Sequence, residues 1–71
     1  MKGFRFLVDS KSARICEAYA DREGISPDEA MGLFFCSATY RALDNSETGL
    51  FLEVFEFVYD MFLEEMGEIP A

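Results

Sequence analysis

The segment Gly24-Ile25-Ser26-Pro27-Asp28-Glu29 constrains the fold of this chain more than any other stretch of its sequence. Glycine tolerates positive φ and commonly ends a helix. Ser26 suits the N-cap of a new helix, Pro27 its first position and Glu29 its third, and together they form a capping box. The segment therefore predicts that one helix ends at Gly24 and that the next begins directly after Ser26.

Helical periodicity continues on both sides of this signal. A first helix over residues 11–23, capped by Asp9 or Ser10, gathers apolar side chains on one face (Ile15, Cys16, Tyr19 and Ala20). A second helix from the capping box to Leu43 is apolar around much of its circumference. We therefore expect it to be the central, most buried element. Residues 44–49 are typical turn residues and predict the main loop.

The two ends of the chain are less regular. Residues 3–8 are aromatic and β-branched, too few for a helix, and predict a short strand at an edge or a dimer interface. Residues 50–66 repeat apolar residues at helical spacing up to Gly67, although 50–54 also fit a strand. We expect 68–71 to fray. The fold class is thus mainly α, a single domain over 1–71, with a short strand followed by three helices.

The chain has 71 residues, and a core of this size supplies only about 3–5 kcal/mol. Eight Phe and three Tyr offer more apolar surface than such a core hides, so we predict a homodimer. No long apolar run follows Met1-Lys2-Gly3, so we expect a cytoplasmic protein with no membrane contact. In that reducing compartment Cys16 and Cys36 are expected to be free thiols that pack as small hydrophobes.

Charge is distributed unevenly along the chain. Residues 1–44 hold seven acidic and six basic residues, whereas residues 45–71 hold seven acidic residues and no basic one. Four of these acids, Glu53, Glu56, Asp60 and Glu64, step by three, four and four, which predicts a row along one helix face. Carboxylates at this spacing repel each other. The row is either a docking surface for a basic protein or a solvated face that keeps an apolar protein in solution.

Several classes of function lack the residues that they need. The chain has no His, the commonest general base and transition-metal ligand, and two isolated Cys do not make a zinc site. No glycine-rich phosphate loop is present, and the serines have no base to activate them. We therefore expect no enzymatic activity, no metal and no cofactor. A net charge of −8 also argues against general affinity for nucleic acid or anionic membranes.

The predicted strand, the helix that ends at Gly24 and the helix capped at Ser26 together resemble the ribbon-helix-helix fold of dimeric repressors and antitoxins. That resemblance implies that strands pair across a dimer and enter the major groove of DNA. In this chain Lys2, Arg5 and Lys11 would then contact the DNA. The sequence thus leaves open a DNA-binding transcriptional regulator as an alternative function.

A second resemblance rests on Cys16-Glu17-Ala18-Tyr19, on the segment from Gly24 to Ala30, on Leu33-Phe34, and on Tyr40 with Leu43. These residues are similar to an uncharacterised family of small bacterial helical proteins encoded beside ADP-ribosyltransferase-like toxins. The resemblance implies an antitoxin-like role. Our leading hypothesis is therefore a protein-binding module that docks a basic partner, such as a toxin, through Glu53, Glu56, Asp60 and Glu64. A phage-type inhibitor that imitates nucleic acid is a further alternative.

Overall fold

A computed structural model describes residues 2–69 of the chain. Within them are four α-helices, namely α1 (Lys2–Glu23), α2 (Pro27–Phe35), α3 (Ala38–Leu43) and α4 (Phe55–Glu65). Two 3-10 turns, Ser46–Thr48 and Leu50–Leu52, join α3 to α4. α1 is the long central rod, and α2, α4 and the second 3-10 turn all pack against it. The expectation of a mainly α fold is confirmed.

The predicted N-terminal strand over 3–8 is wrong, because these residues form the first turns of α1. Helical spacing places Phe4 and Val8 on the side of α1 that also carries Ile15. Val8 and Ile15 are fully buried, and the ring of Phe4 meets Phe51 edge-on at 4.8 Å. Burial on this face outweighs the β-propensity of Phe and Val, and Asp9 and Ser10 lie inside the helix rather than at its cap.

The turn between α1 and α2 forms as predicted. Gly24 has φ of +67°, and the N–H of Ile25 donates to the carbonyl of Ala20 at 3.1 Å, which closes the end of α1. The Ser26 hydroxyl accepts a hydrogen bond from the N–H of Glu29 at 3.1 Å, as a capping serine does. α1 and α2 are thereby joined as a short helical hairpin.

The second predicted helix is interrupted at Cys36 and Ser37, which separate α2 from α3. The buried Ser37 hydroxyl donates to the carbonyl of Phe34 at 2.5 Å and accepts from the N–H of Tyr40 at 3.1 Å. A serine hydroxyl that both donates to and accepts from the backbone competes with the backbone hydrogen bonds of a helix. Here Ser37 follows the end of α2 and caps α3. The exposed Cys36 also contradicts the expectation that both thiols are buried, whereas Cys16 is buried as predicted.

The third predicted helix starts later than expected, at Phe55. Leu50–Leu52 form a 3-10 turn, so the segment 50–54 is neither a strand nor part of the helix. Gly67, with φ of +78°, follows α4 as predicted. Glu68 and Ile69 do not fray: the N–H of Glu68 donates to Leu63 at 2.9 Å, and Ile69 packs against the core. Residues 70–71 of the predicted tail lie outside the described residues.

Aromatic rings at the centre of the molecule join α1, α2 and α4. Phe34 of α2 and Phe62 of α4 are fully buried, with centroids 5.1 Å apart and planes at 87°. Tyr19 of α1 meets Phe62 at 4.9 Å in a similar edge-on contact. Such pairs stabilise beyond the area that they bury, so they fix the rotation of α4 about its own axis. A helix with the length and apolar character of a bilayer span is absent from residues 2–69.

Candidate functional site

The candidate site is the outer side of α4. Glu56, Asp60 and Glu64 are separated by four residues each and are all exposed, while the opposite side of the helix is buried through Val58 and Phe62. A rise of 1.5 Å per residue makes this row about 12 Å long. Glu53 is also exposed but precedes the helix in extended backbone. The helix therefore carries three of the four predicted carboxylates in one row.

The carboxylates of the row stand without basic partners in the described part of the chain. The ion pairs found there join Arg5 to Asp9 and Asp44, and Arg22 to Glu23, and none reaches α4. The last turn of α4 contains no basic residue but does contain Glu64 and Glu65. The carbonyl end of a helix is the negative end of its dipole, so the negative charges of Glu64 and Glu65 interact unfavourably with it. The row thus projects uncompensated negative charge.

Exposed apolar side chains lie beside the row. Phe57 follows Glu56 on α4 and is 51% exposed, and Leu52 and Val54 in the preceding connection are 70% and 65% exposed. Helical geometry places Phe57 between the row and the edge of the core, within one turn of Asp60. We call Glu56, Phe57, Asp60 and Glu64 the acidic face of α4. Sequence analysis identified its charges but did not single out Phe57, which falls outside the helical spacing of the apolar residues in this segment.

Glu65 fixes the end of α4 nearest to α3. One carboxylate oxygen accepts the N–H of Ala38 at 2.8 Å, and the other accepts both the N–H and the hydroxyl of Thr39, at 2.9 and 2.7 Å. Desolvation acts to raise the pKa of Glu65, but these bonds outweigh it, so its pKa lies below the ordinary value. Glu65 therefore serves as a structural cap, whereas its neighbour Glu64 points outward.

The residues of the alternative DNA-binding hypothesis are all on α1. The Arg5 guanidinium lies 2.8 Å from Asp44 and 3.3 Å from Asp9, and Asp44, through its hydrogen bond, is the leading cause of the raised pKa of Arg5. Lys11 is half-buried in the middle of the helix, and the side chain of Lys2 lies outside the described part of the structure. The described residues thus bring no ribbon of basic side chains together.

No group of three or more Cys, Asp or Glu side chains is placed to hold a metal ion within residues 2–69. One buried hydroxyl there, that of Ser12, has no hydrogen-bond partner. Ser12 lies beside Cys16 in a groove between α1 and α2. Burial raises the pKa of the Cys16 thiol, which keeps that thiol protonated and weakly nucleophilic.

Comparisons with protein-family models, with curated proteins and with solved structures gave no match to this chain.

Proposed function

We propose that this protein is a non-enzymatic, antitoxin-like binding module that docks a basic protein partner on the acidic face of α4. The observation that carries the proposal is the row of three exposed carboxylates, Glu56, Asp60 and Glu64, which have no basic partner in the described part of the chain. A toxin encoded nearby is the partner class that the resemblance in sequence suggests.

The charges of this face do not stabilise the helix that carries them. Carboxylates four residues apart repel each other by a few tenths of a kcal/mol per pair, and Glu64 opposes the helix dipole. Keeping an apolar protein dissolved requires negative charge but not its alignment in one row. A basic partner would offset the repulsion between these carboxylates. Part of the binding free energy would therefore come from relieving an unfavourable interaction in the free protein.

The face also offers an apolar anchor. Aromatic residues are enriched at protein interfaces, where a few side chains that become buried on binding commonly dominate the binding energy. Phe57 fits this description, and Leu52 and Val54 extend the apolar area beside it. The carboxylates would mainly accelerate encounter, since charge complementarity acts on association rates and is screened over about 8 Å at physiological salt.

The test is capture of the native partner by the wild-type chain and by two charge-matched variants. The first variant combines Glu56→Lys, Asp60→Lys and Glu64→Lys. The control combines Asp21→Lys, Asp28→Lys and Glu47→Lys, which changes net charge equally at exposed sites away from α4. Each immobilised protein is incubated with lysate of the source organism, and retained proteins are identified by mass spectrometry. Glu53→Lys is measured separately because Glu53 precedes the helix.

We expect a basic protein that is retained by the wild type and the control and lost with the α4 variant. Its affinity, measured by calorimetry, should fall as salt rises. Equal retention by both variants would refute docking through α4.

If the captured protein is itself a nucleic-acid-binding enzyme, the nucleic-acid-imitating inhibitor is the better description. A gel shift with DNA from upstream of the gene tests the alternative role of Lys2, Arg5 and Lys11, and sedimentation tests the predicted dimer.

A further inference from the structure

Two parallel rows of side chains line a groove between α1 and α2. One wall is Asp9, Ala13 and Glu17 of α1, and the other is Pro27, Met31 and Phe35 of α2; Ser12 and Cys16 are buried beneath them. Each wall advances by four residues per step, so the groove follows the helix axes for about 12 Å. Its volume is about 330 Å³. Sequence analysis expected the helix that carries Met31 and Phe35 to be the most buried element, whereas each of these side chains is 43% exposed.

The groove is separate from the acidic face of α4. On α1, the residues that contact α4 include Arg14, whose guanidinium lies 4.4 Å from the ring centroid of Phe55, and Tyr19, which packs on Phe62. At 3.6 residues per turn, these contacts point away from the wall formed by Asp9, Ala13 and Glu17. The outer wall of the groove therefore faces a different side of α1 from the one that contacts α4.

We propose that this groove is a docking site for a basic amphipathic helix of a partner protein. Its shape suits a helix, because a channel between two packed helices leaves room for the side-chain ridge of a third. The walls are exposed along their length, which fits a ridge of side chains better than an enclosed small molecule. Met31 adds a flexible, adaptable surface of the kind found in helix-binding grooves.

The negative charge of the groove lining indicates that a partner bound there carries positive charge. Its charged lining residues are Asp9 and Glu17, one near each end of the same wall, and its lining includes no basic residue. Glu17 has no ion pair within residues 2–69, whereas Asp9 is paired with Arg5 at 3.3 Å. A helix with apolar residues at its centre and Lys or Arg along one flank would therefore pair with Glu17 and share Asp9 with Arg5. At the floor, Ser12 is 3% exposed and its hydroxyl is unpartnered within residues 2–69. Unpartnered buried hydroxyls are rare in folded proteins, and this one lies directly beneath the groove.

The test uses the complete protein labelled with ¹⁵N and a synthetic helical peptide of about 16 residues, long enough to hold helix when docked. The peptide carries leucines at helical spacing and lysines along one flank, and a control peptide has glutamate in place of lysine. Met31→Lys introduces a charge into the groove. Leu33→Lys is its matched control, since Leu33 is 44% exposed on the same helix but does not line the groove.

We expect peptide-induced shifts confined to residues 9–17 and 27–35, with loss of about tenfold or more in affinity for Met31→Lys and much less for Leu33→Lys. Glu17→Gln should weaken the salt dependence, whereas Asp21→Asn should not. The variant with three reversed charges on α4 should still bind this peptide, which separates the groove from the function proposed above. Equal losses for Met31→Lys and Leu33→Lys, shifts on α4, binding of the control peptide, or a groove already covered by a second copy would each overturn the proposal.

Discussion

The Glu65 carboxylate, at the last residue of α4, accepts hydrogen bonds from both the N–H and the hydroxyl of Thr39 at the start of α3. Helix N-termini leave several N–H groups unpaired, and a nearby residue commonly accepts them. α3 has a local cap in Ser37, but a second one comes from a residue 26 positions away in the sequence. This tertiary cap joins the segment that interrupts the central helix to the helix that bears the acidic face.

Replacing Glu65 by Gln is expected to lower the free energy of unfolding by about 1 kcal/mol at neutral pH, the usual cost of losing a helix cap. The pKa of Glu65 is below its ordinary value of 4.5, so its contribution is complete above that pH and disappears as pH falls through the folded-state pKa. Urea unfolding of both proteins between neutral pH and pH 3 should therefore show a difference that shrinks on acidification. Glu64→Gln is the control and should change stability by less than about 0.5 kcal/mol at any pH.

The central aromatic contact is expected to decide whether the chain folds. Phe34 is fully buried and meets both Phe62 and Tyr40 edge-on, at 5.1 and 5.6 Å. Phe34→Ala should cost about 3–5 kcal/mol, comparable to the whole stability of a domain this small, and should abolish the cooperative thermal transition measured by circular dichroism. Phe35→Ala, at a residue that is 43% exposed but meets Tyr40 edge-on at 4.8 Å, should lower the melting temperature while keeping a cooperative transition. Similar melting of both variants would contradict the burial described here.

Local signals predicted the parts of the fold that local chemistry determines. Gly24, Ser26 and Gly67 end or cap helices through bonds within a few residues, and each does what the sequence predicted. The misassigned residues depend on distant contacts instead. Residues 3–8 become helical where Phe4 packs on Phe51, and the break at Ser37 is supported by Glu65. The periodicity of residues 3–8 does not reveal the contact with Phe51, and the sequence around Ser37 does not reveal the contact with Glu65, because both partners are distant in the sequence.

The same division applies to the candidate site. The spacing of Glu56, Asp60 and Glu64 was sufficient to predict one exposed row, since a four-residue step fixes alignment on any helix. The groove between α1 and α2 was not predictable, because its α2 wall consists of apolar residues whose spacing also suits a core. Met31 and Phe35 each remain 43% exposed, even though Tyr40 of α3 meets the ring of Phe35 edge-on at 4.8 Å.

The two thiols are expected to react at very different rates. Cys36 is exposed between α2 and α3, whereas Cys16 is buried and its pKa is raised by that burial. Because the thiolate is the reactive form, an aromatic disulfide reagent at pH 8 should modify one thiol quickly and the second only after denaturation. Cys36→Ser should remove the fast phase and leave the slow one. Two fast equivalents in the native protein would show that Cys16 is accessible.

Two buried serines of equal exposure should respond in opposite ways to the same substitution. Ser12 and Ser37 are each 3% exposed, but the Ser12 hydroxyl has no partner within residues 2–69, whereas that of Ser37 bonds to Phe34 and Tyr40. An unsatisfied buried hydroxyl costs free energy, so Ser12→Ala should raise the free energy of unfolding by about 1 kcal/mol. Ser37→Ala removes a cap and should lower it by about 1–2 kcal/mol. Urea unfolding of the two variants measures both changes. Destabilisation by Ser12→Ala would mean that the Ser12 hydroxyl is paired in solution. That result would remove one support for a docking groove at that position.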